Sequence, residues 1–134
     1  MPFDAATYER SEELRILHEM EAFFSVPGNW CQKTLGTKSG QRCLLGCLYE
    51  VSTGRNAARS KMEGMEQRLP AAGRRVLGAV AARAPDRYRT LWGAPCRSLT
   101  TLWQFNDGAS SVDSVTELVR LTRVAMEKEK VHAV

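Results

Sequence analysis

Cys43-Leu44-Leu45-Gly46-Cys47-Leu48-Tyr49-Glu50-Val51 leaves few positions polar and is followed by the terminator Ser52-Thr53-Gly54. An apolar run of this kind, closed by small residues and glycine, reads as a short helix buried on most of its circumference. Gly46 in its middle costs about 1 kcal/mol relative to alanine. Its presence points to close approach by another backbone or by the ring of Trp30. Upstream, Trp30-Cys31 precedes Lys33-Thr34-Leu35, a glycine-bounded loop from Gly36 to Gly40, and Gln41-Arg42-Cys43. This pattern predicts one short β-hairpin over residues 30–43.

Working outward, the chain is mainly helical. Residues 6–24 place Leu14, Leu17, Met20, Phe23 and Phe24 at helical spacing, with Glu9, Glu12, Glu13 and Glu19 on the polar side. Pro27-Gly28-Asn29 stops that helix. Residues 56–69 and 70–84 are the next helices, divided by Pro70 at a favourable first position. Residues 88–96 form a connector. Residues 98–105 make a short helix presenting Leu99, Leu102, Trp103 and Phe105, which Asn106-Asp107-Gly108 breaks as a turn. Ser110 or Ser111 caps a last helix with Val112, Val115, Leu118, Val119, Thr122 and Met126 on its inner stripe. Residues 1–5 and 131–134 are expected to fray.

The 134 residues are 43% hydrophobic and 25% charged, the composition and length of a small single-domain helical bundle. No apolar stretch approaches the roughly 18 residues that span a bilayer, and the basic start of a signal peptide is missing, so a cytoplasmic protein without a membrane partner is expected. Cys31, Cys43, Cys47 and Cys96 are then expected as reduced thiols. Eleven and then three residues separate the first three cysteines, with no CxxC knuckle, and Cys43 and Cys47 fall on one helix face. They read as packing residues, and no metal and no cofactor is expected.

Trp30, a Gly-x-x-Cys-x-x-Gly segment at residues 40–46, and a late aromatic-Asn-Asp turn, Phe105-Asn106-Asp107, before a capped helix together resemble a family of small bacterial and phage-encoded domains of uncharacterised function. Phe105 stands where that family usually has Trp. The resemblance spans residues 10–127 and implies a fold and a bacterial or mobile-element setting, without a reaction.

Catalytic chemistry has little to work with. Asn106, Asp107 or a cysteine needs an imidazole beside it, and the only histidines are His18, on the first helix, and His132, near the end. No catalytic residue is assigned. Trp30, Trp92 and Trp103 read as core or groove-lining rings, with Trp30, Trp103, Asn106 and Asp107 outlining a possible groove.

Charge is more directive. Residues 55–89 hold nine basic and three acidic side chains, +6 within a chain of +4 overall. Arginine grips carboxylates and phosphates bidentately. Arg55, Arg59, Arg68, Arg74, Arg75, Arg83, Arg87 and Arg89 are therefore the candidate partner-binding residues. The leading expectation is a non-enzymatic module that binds a host or mobile-element protein through this basic helical face. The alternatives are a nucleic-acid binder using the same residues and a small enzyme using a cysteine or the Asn-Asp turn.

Overall fold

A computed structural model describes residues 5–129, with side chains from residue 7 onward. His132 and most of the segments expected to fray lie outside the described residues. The elements in chain order are α1 (Ala5–Phe24), α2 (Leu44–Thr53), a 3-10 turn (Ala57–Arg59), α3 (Met65–Arg68), α4 (Ala71–Arg83), α5 (Asp86–Arg89), the strands β1 (Thr90–Leu91) and β2 (Ala94–Pro95), α6 (Ser98–Gly108) and α7 (Val112–Lys128). The architecture is a mainly α domain with one two-stranded antiparallel hairpin, β1 to β2.

Helix α2 is the inner element, as its apolar run requires. Leu44, Leu45, Cys47, Leu48 and Tyr49 are all buried, and the helix touches α1, α4, α6 and the 3-10 turn. Gly46 is indispensable there: a Cβ would lie 2.0 Å from the carbonyl oxygen of Leu35. A backbone and not the Trp30 ring makes the approach, and the segment that supplies it, residues 30–43, is a loop and not the expected hairpin. Residues 30 and 36 each form an isolated bridge with Arg42, one parallel and one antiparallel, and no ladder develops between them. Lys33, at φ 66°, reverses the chain, so both flanks of the loop converge on one residue. The Arg42 amide donates to Asn29 O (2.8 Å) and its carbonyl accepts from Cys31 (3.1 Å). Arg42 itself is buried and paired with Glu50 on α2.

Long periodic helices formed as their pattern predicts. On α7 the stripe of Val115, Leu118, Val119, Thr122 and Met126 is buried and packs on α1 and α4. Ser111 occupies its N-cap position without a side-chain cap bond. On α1 the buried face is Ile16, Leu17, Met20 and Phe24, with Glu13 among them rather than on the polar side, only 4% exposed. Its carboxylate meets Arg10 at 3.0 Å and Arg75 of α4 at 2.5 Å, which compensates its desolvation. The expected helix over 56–69 breaks into the 3-10 turn and α3. Gly64, at φ 72°, and the capping of Ala58 N–H by Asn56 Oδ1 at 2.8 Å divide it.

Helix α6 runs on through Asn106, Asp107 and Gly108, the residues expected to end it as a turn. Cys43, Leu44, Cys47, Leu48, Val115, Leu118 and Val119 are buried together in one core, with Trp30 and Trp103 only half-buried against it. Trp92 is the exception among the tryptophans, standing 95% exposed at the hairpin tip.

Candidate functional site

Asn106 is 1% exposed and fully engaged. Its Oδ1 accepts from Trp30 Nε1 at 2.7 Å and from the Leu44 amide at 2.9 Å, and its Nδ2 donates to Cys31 O at 3.1 Å. One side chain therefore joins the last turn of α6, the loop at 30–31 and the first turn of α2, whose leading amides have no partner within the helix. A thiol completes that cap, with Gly46 N–H donating to Cys43 Sγ at 3.2 Å. Asp107 Oδ1 accepts from the Lys33 amide at 2.7 Å, fixing its left-handed backbone. Gln32 Nε2 donates to the end carbonyls of α6, 3.0 Å from Asn106 O and 3.0 Å from Ala109 O. The Trp30, Asn106 and Asp107 cluster is thus a clasp whose polar atoms face one another, and Trp103 packs against the core beside it.

Three of the four thiols, Cys31, Cys43 and Cys47, are held away from the thiolate form. Burial pushes Cys43 up to about 12 and Cys47 still further, and it raises Cys31 as well, with the Arg42 charge opposing. A thiol raised in this way holds almost no thiolate at neutral pH. His18 is exposed on α1 and its Nε2 lies 3.3 Å from Glu127 of α7. Among the described residues no three His, Cys, Asp or Glu side chains are placed to share a metal ion, and no helix is long and apolar enough to cross a membrane.

The basic residues divide into two sets. Arg75 is held by Glu13, Arg89 by Asp86, and Arg83 donates to Ala79 O at 3.3 Å and reaches Glu129 at 4.0 Å. Arg87 lies 4.7 Å over the ring of Tyr88, and Arg74 is exposed on α4. Arg55, Arg59 and Arg68 instead line one open recess of about 620 Å³ together with Lys61, a residue outside the candidate set drawn from sequence. Gly54, left-handed at φ 75°, ends α2 and turns the chain outward so that Arg55 follows at its rim. Asn56 starts the 3-10 turn that carries Arg59. Arg68 donates to Glu63 O at 2.9 Å and Lys61 O at 2.5 Å, and its guanidinium lies 5.7 Å from the centre of the Tyr49 ring.

Tyr49 is one wall of this recess and is only 2% exposed. Ser60, and after it the Arg68 guanidinium, hold its hydroxyl below the ordinary tyrosine value. Two further concavities adjoin, one sharing Asn56 and Arg59 and including Lys38, the other sharing Arg55 and Arg68. Among the described residues, Arg55, Arg59 and Lys61 meet no carboxylate within ion-pair distance, and neither does Arg68. Glu63 is the one acid in the recess lining. The concave belt therefore carries an excess of positive charge. Sequence reasoning passed over Tyr49, Asn56 and Ser60; the signal that marks them is Gly54 followed at once by Asn56, a helix stop and a new cap two residues apart.

Fold and site together define a small mainly α domain with a tied inner helix and a basic recess at that helix's end. Residues 10–125 match the family of unknown function DUF6197, and the chain belongs to that family. No curated protein and no solved structure matches it significantly.

Proposed function

We propose that this protein is a non-enzymatic binding module that takes an acidic segment of a protein partner, of host or mobile-element origin, into the recess of Arg55, Arg59, Lys61 and Arg68. The observation that carries the reading is the partition of the cations. Arginines outside the recess are mostly paired with a neighbouring carboxylate, whereas the four cations inside it form no ion pair among the described residues, with Glu63 the one acid in their lining. Partner carboxylates supply the missing charge, and the fork of each arginine fixes their direction. A compact recess suits a short acidic stretch better than the long continuous stripe that tracks a phosphate backbone. The neutralisation of Arg75, Arg83 and Arg89 shortens that stripe further.

The test is affinity capture from cell extract with wild type and with Arg55→Ala/Arg59→Ala/Lys61→Ala, read by quantitative mass spectrometry. The reading expects protein partners enriched on wild type and depleted at least about tenfold on the variant, insensitive to nuclease. Equal capture by both proteins removes the recess from partner binding. Capture that vanishes with nuclease, and a binding constant falling steeply with salt, transfers the recess to nucleic acid.

A further inference from the structure

The β1–β2 hairpin carries a residue that its own fold disfavours twice. Leu91 pairs with Ala94, leaving Trp92 and Gly93 as a two-residue connection at φ 55° and 77°. Both positions are left-handed, the geometry that Asn-Gly occupies with least strain. A residue with a Cβ is strained in that region, where the Cβ crowds the following carbonyl oxygen. Trp92 is also 95% exposed, so its ring gains nothing from the core, and Leu91 beside it is half-exposed. A large apolar ring in a strained, solvated position, at the tip of an ordered hairpin, has the placement of an interface anchor.

The fold also contains a receptor for such a ring. A recess of about 270 Å³ is bounded by Met62, Met65 and Leu99, with Glu63 and Glu66 among its lining residues. Thioethers are favourable partners for an aromatic ring. One opposite pair is left over across the two features: Arg87, ahead of the Trp92 turn, and Glu63 of the recess lining form no ion pair among the described residues, whereas Arg89 is held by Asp86 and Glu66 by Arg97, which also lines the recess. Arg97, two residues beyond β2, reaches Glu66 at 3.3 Å, so the recess sits by the foot of the hairpin whose tip is Trp92. Tip and receptor belong to one surface region, which is the condition for a self-complementary two-fold contact.

We propose that Trp92 enters the Met62, Met65 and Leu99 recess of a second copy of this chain, giving a reciprocal dimer. Two indoles bury on the order of 300–500 Å² of side-chain surface. With their flanks that is less than the roughly 1,200–2,000 Å² of a standard stable interface, so the dimer is weak and reversible. The receptor adjoins the binding recess at Tyr49 and shares Glu63 with it, but none of the recess cations lines it.

Sedimentation velocity over a concentration series into the millimolar range tests the contact. Wild type is expected to pass from monomer to dimer. Trp92→Asn, which suits the left-handed turn, is expected to melt no lower than wild type and to weaken association at least about tenfold. Met62→Lys, altering the receptor alone, is expected to weaken it comparably. A wild type that stays monomeric throughout overturns the proposal, as does a Trp92→Asn protein that dimerises like wild type. Loss with Trp92→Asn but not with Met62→Lys overturns the receptor assignment.

Discussion

Asn106→Ala isolates the clasp that holds the inner helix. The substitution removes the acceptor for Trp30 Nε1 and Leu44 N–H and the donor to Cys31 O. Leu44 is wholly buried, and a buried amide left without a partner costs about 1–3 kcal/mol. Trp30 is half-buried, so its indole N–H can recover water and adds less. With the loss at Cys31 O and the small cavity, the expected destabilisation is about 3–5 kcal/mol, a large part of the 5–15 kcal/mol of a typical domain. With a urea slope of about 1.5 kcal/mol/M, the midpoint should fall by about 2–3 M.

Asn106→Asp refines the test. It keeps an acceptor for both donors but sets a carboxylate against Cys31 O and near Asp107. Burial raises its folded pKa above the unfolded value of about 3.9, so the folded state holds the extra proton and stability declines as pH rises through the interval between the two. Urea midpoints for the three proteins at acid and neutral pH provide the assay. An Asn106→Ala midpoint within about 0.5 M of wild type, or an Asn106→Asp penalty unchanged by pH, would refute the clasp.

Gly46→Ala must displace the Leu35 carbonyl and should leave little folded protein by circular dichroism, whereas Gly78→Ala on α4 meets nothing within 4 Å and should raise stability by about 0.5–1 kcal/mol. Thiol labelling at pH 8 should modify Cys96 first and Cys31 slowly, while Cys43, raised to about 12, and Cys47 react only after denaturant is added; fast labelling of all four contradicts the packed cap. Arg75→Ala leaves buried Glu13 with Arg10 alone and should cost about 1–2 kcal/mol in urea titration, against less than about 0.5 kcal/mol for Arg55→Ala or Arg59→Ala. Equal costs at these three arginines would mean that the recess cations serve the fold.

The parts of this fold legible in the sequence are those set by local periodicity. Helices α1, α2 and α7 follow from their apolar spacing and α4 from Pro70 at its start, and Gly46 signals a close backbone approach because glycine inside a helix has a steric reason. What escaped was decided by residues far apart in the chain. Residues 30–43 alternate and turn like a hairpin, but Asn106 and Glu50 supply partners that hold them as a loop. Asn106-Asp107-Gly108 looks like a turn until Gln32 arrives to satisfy the carbonyls of the helix end. Glu13 is buried because Arg75 reaches it from α4. The basic segment was visible as composition; which cations remain unpaired depends on carboxylates elsewhere, so the recess emerged only in three dimensions. Residue type alone marks Trp92 as a core or groove-lining ring, and its exposure follows from the two-residue turn that carries it.

The most direct test of the recess is an NMR titration of the ¹⁵N-labelled protein with a short glutamate-rich peptide, followed through its backbone and arginine side-chain signals. A site at this recess predicts saturable shifts concentrated at Arg55, Asn56, Arg59, Ser60, Lys61 and Arg68, with Arg75, Arg83 and Arg89 unmoved. Shifts spread evenly over every exposed cation, or centred on the α4 and α5 arginines, would contradict it.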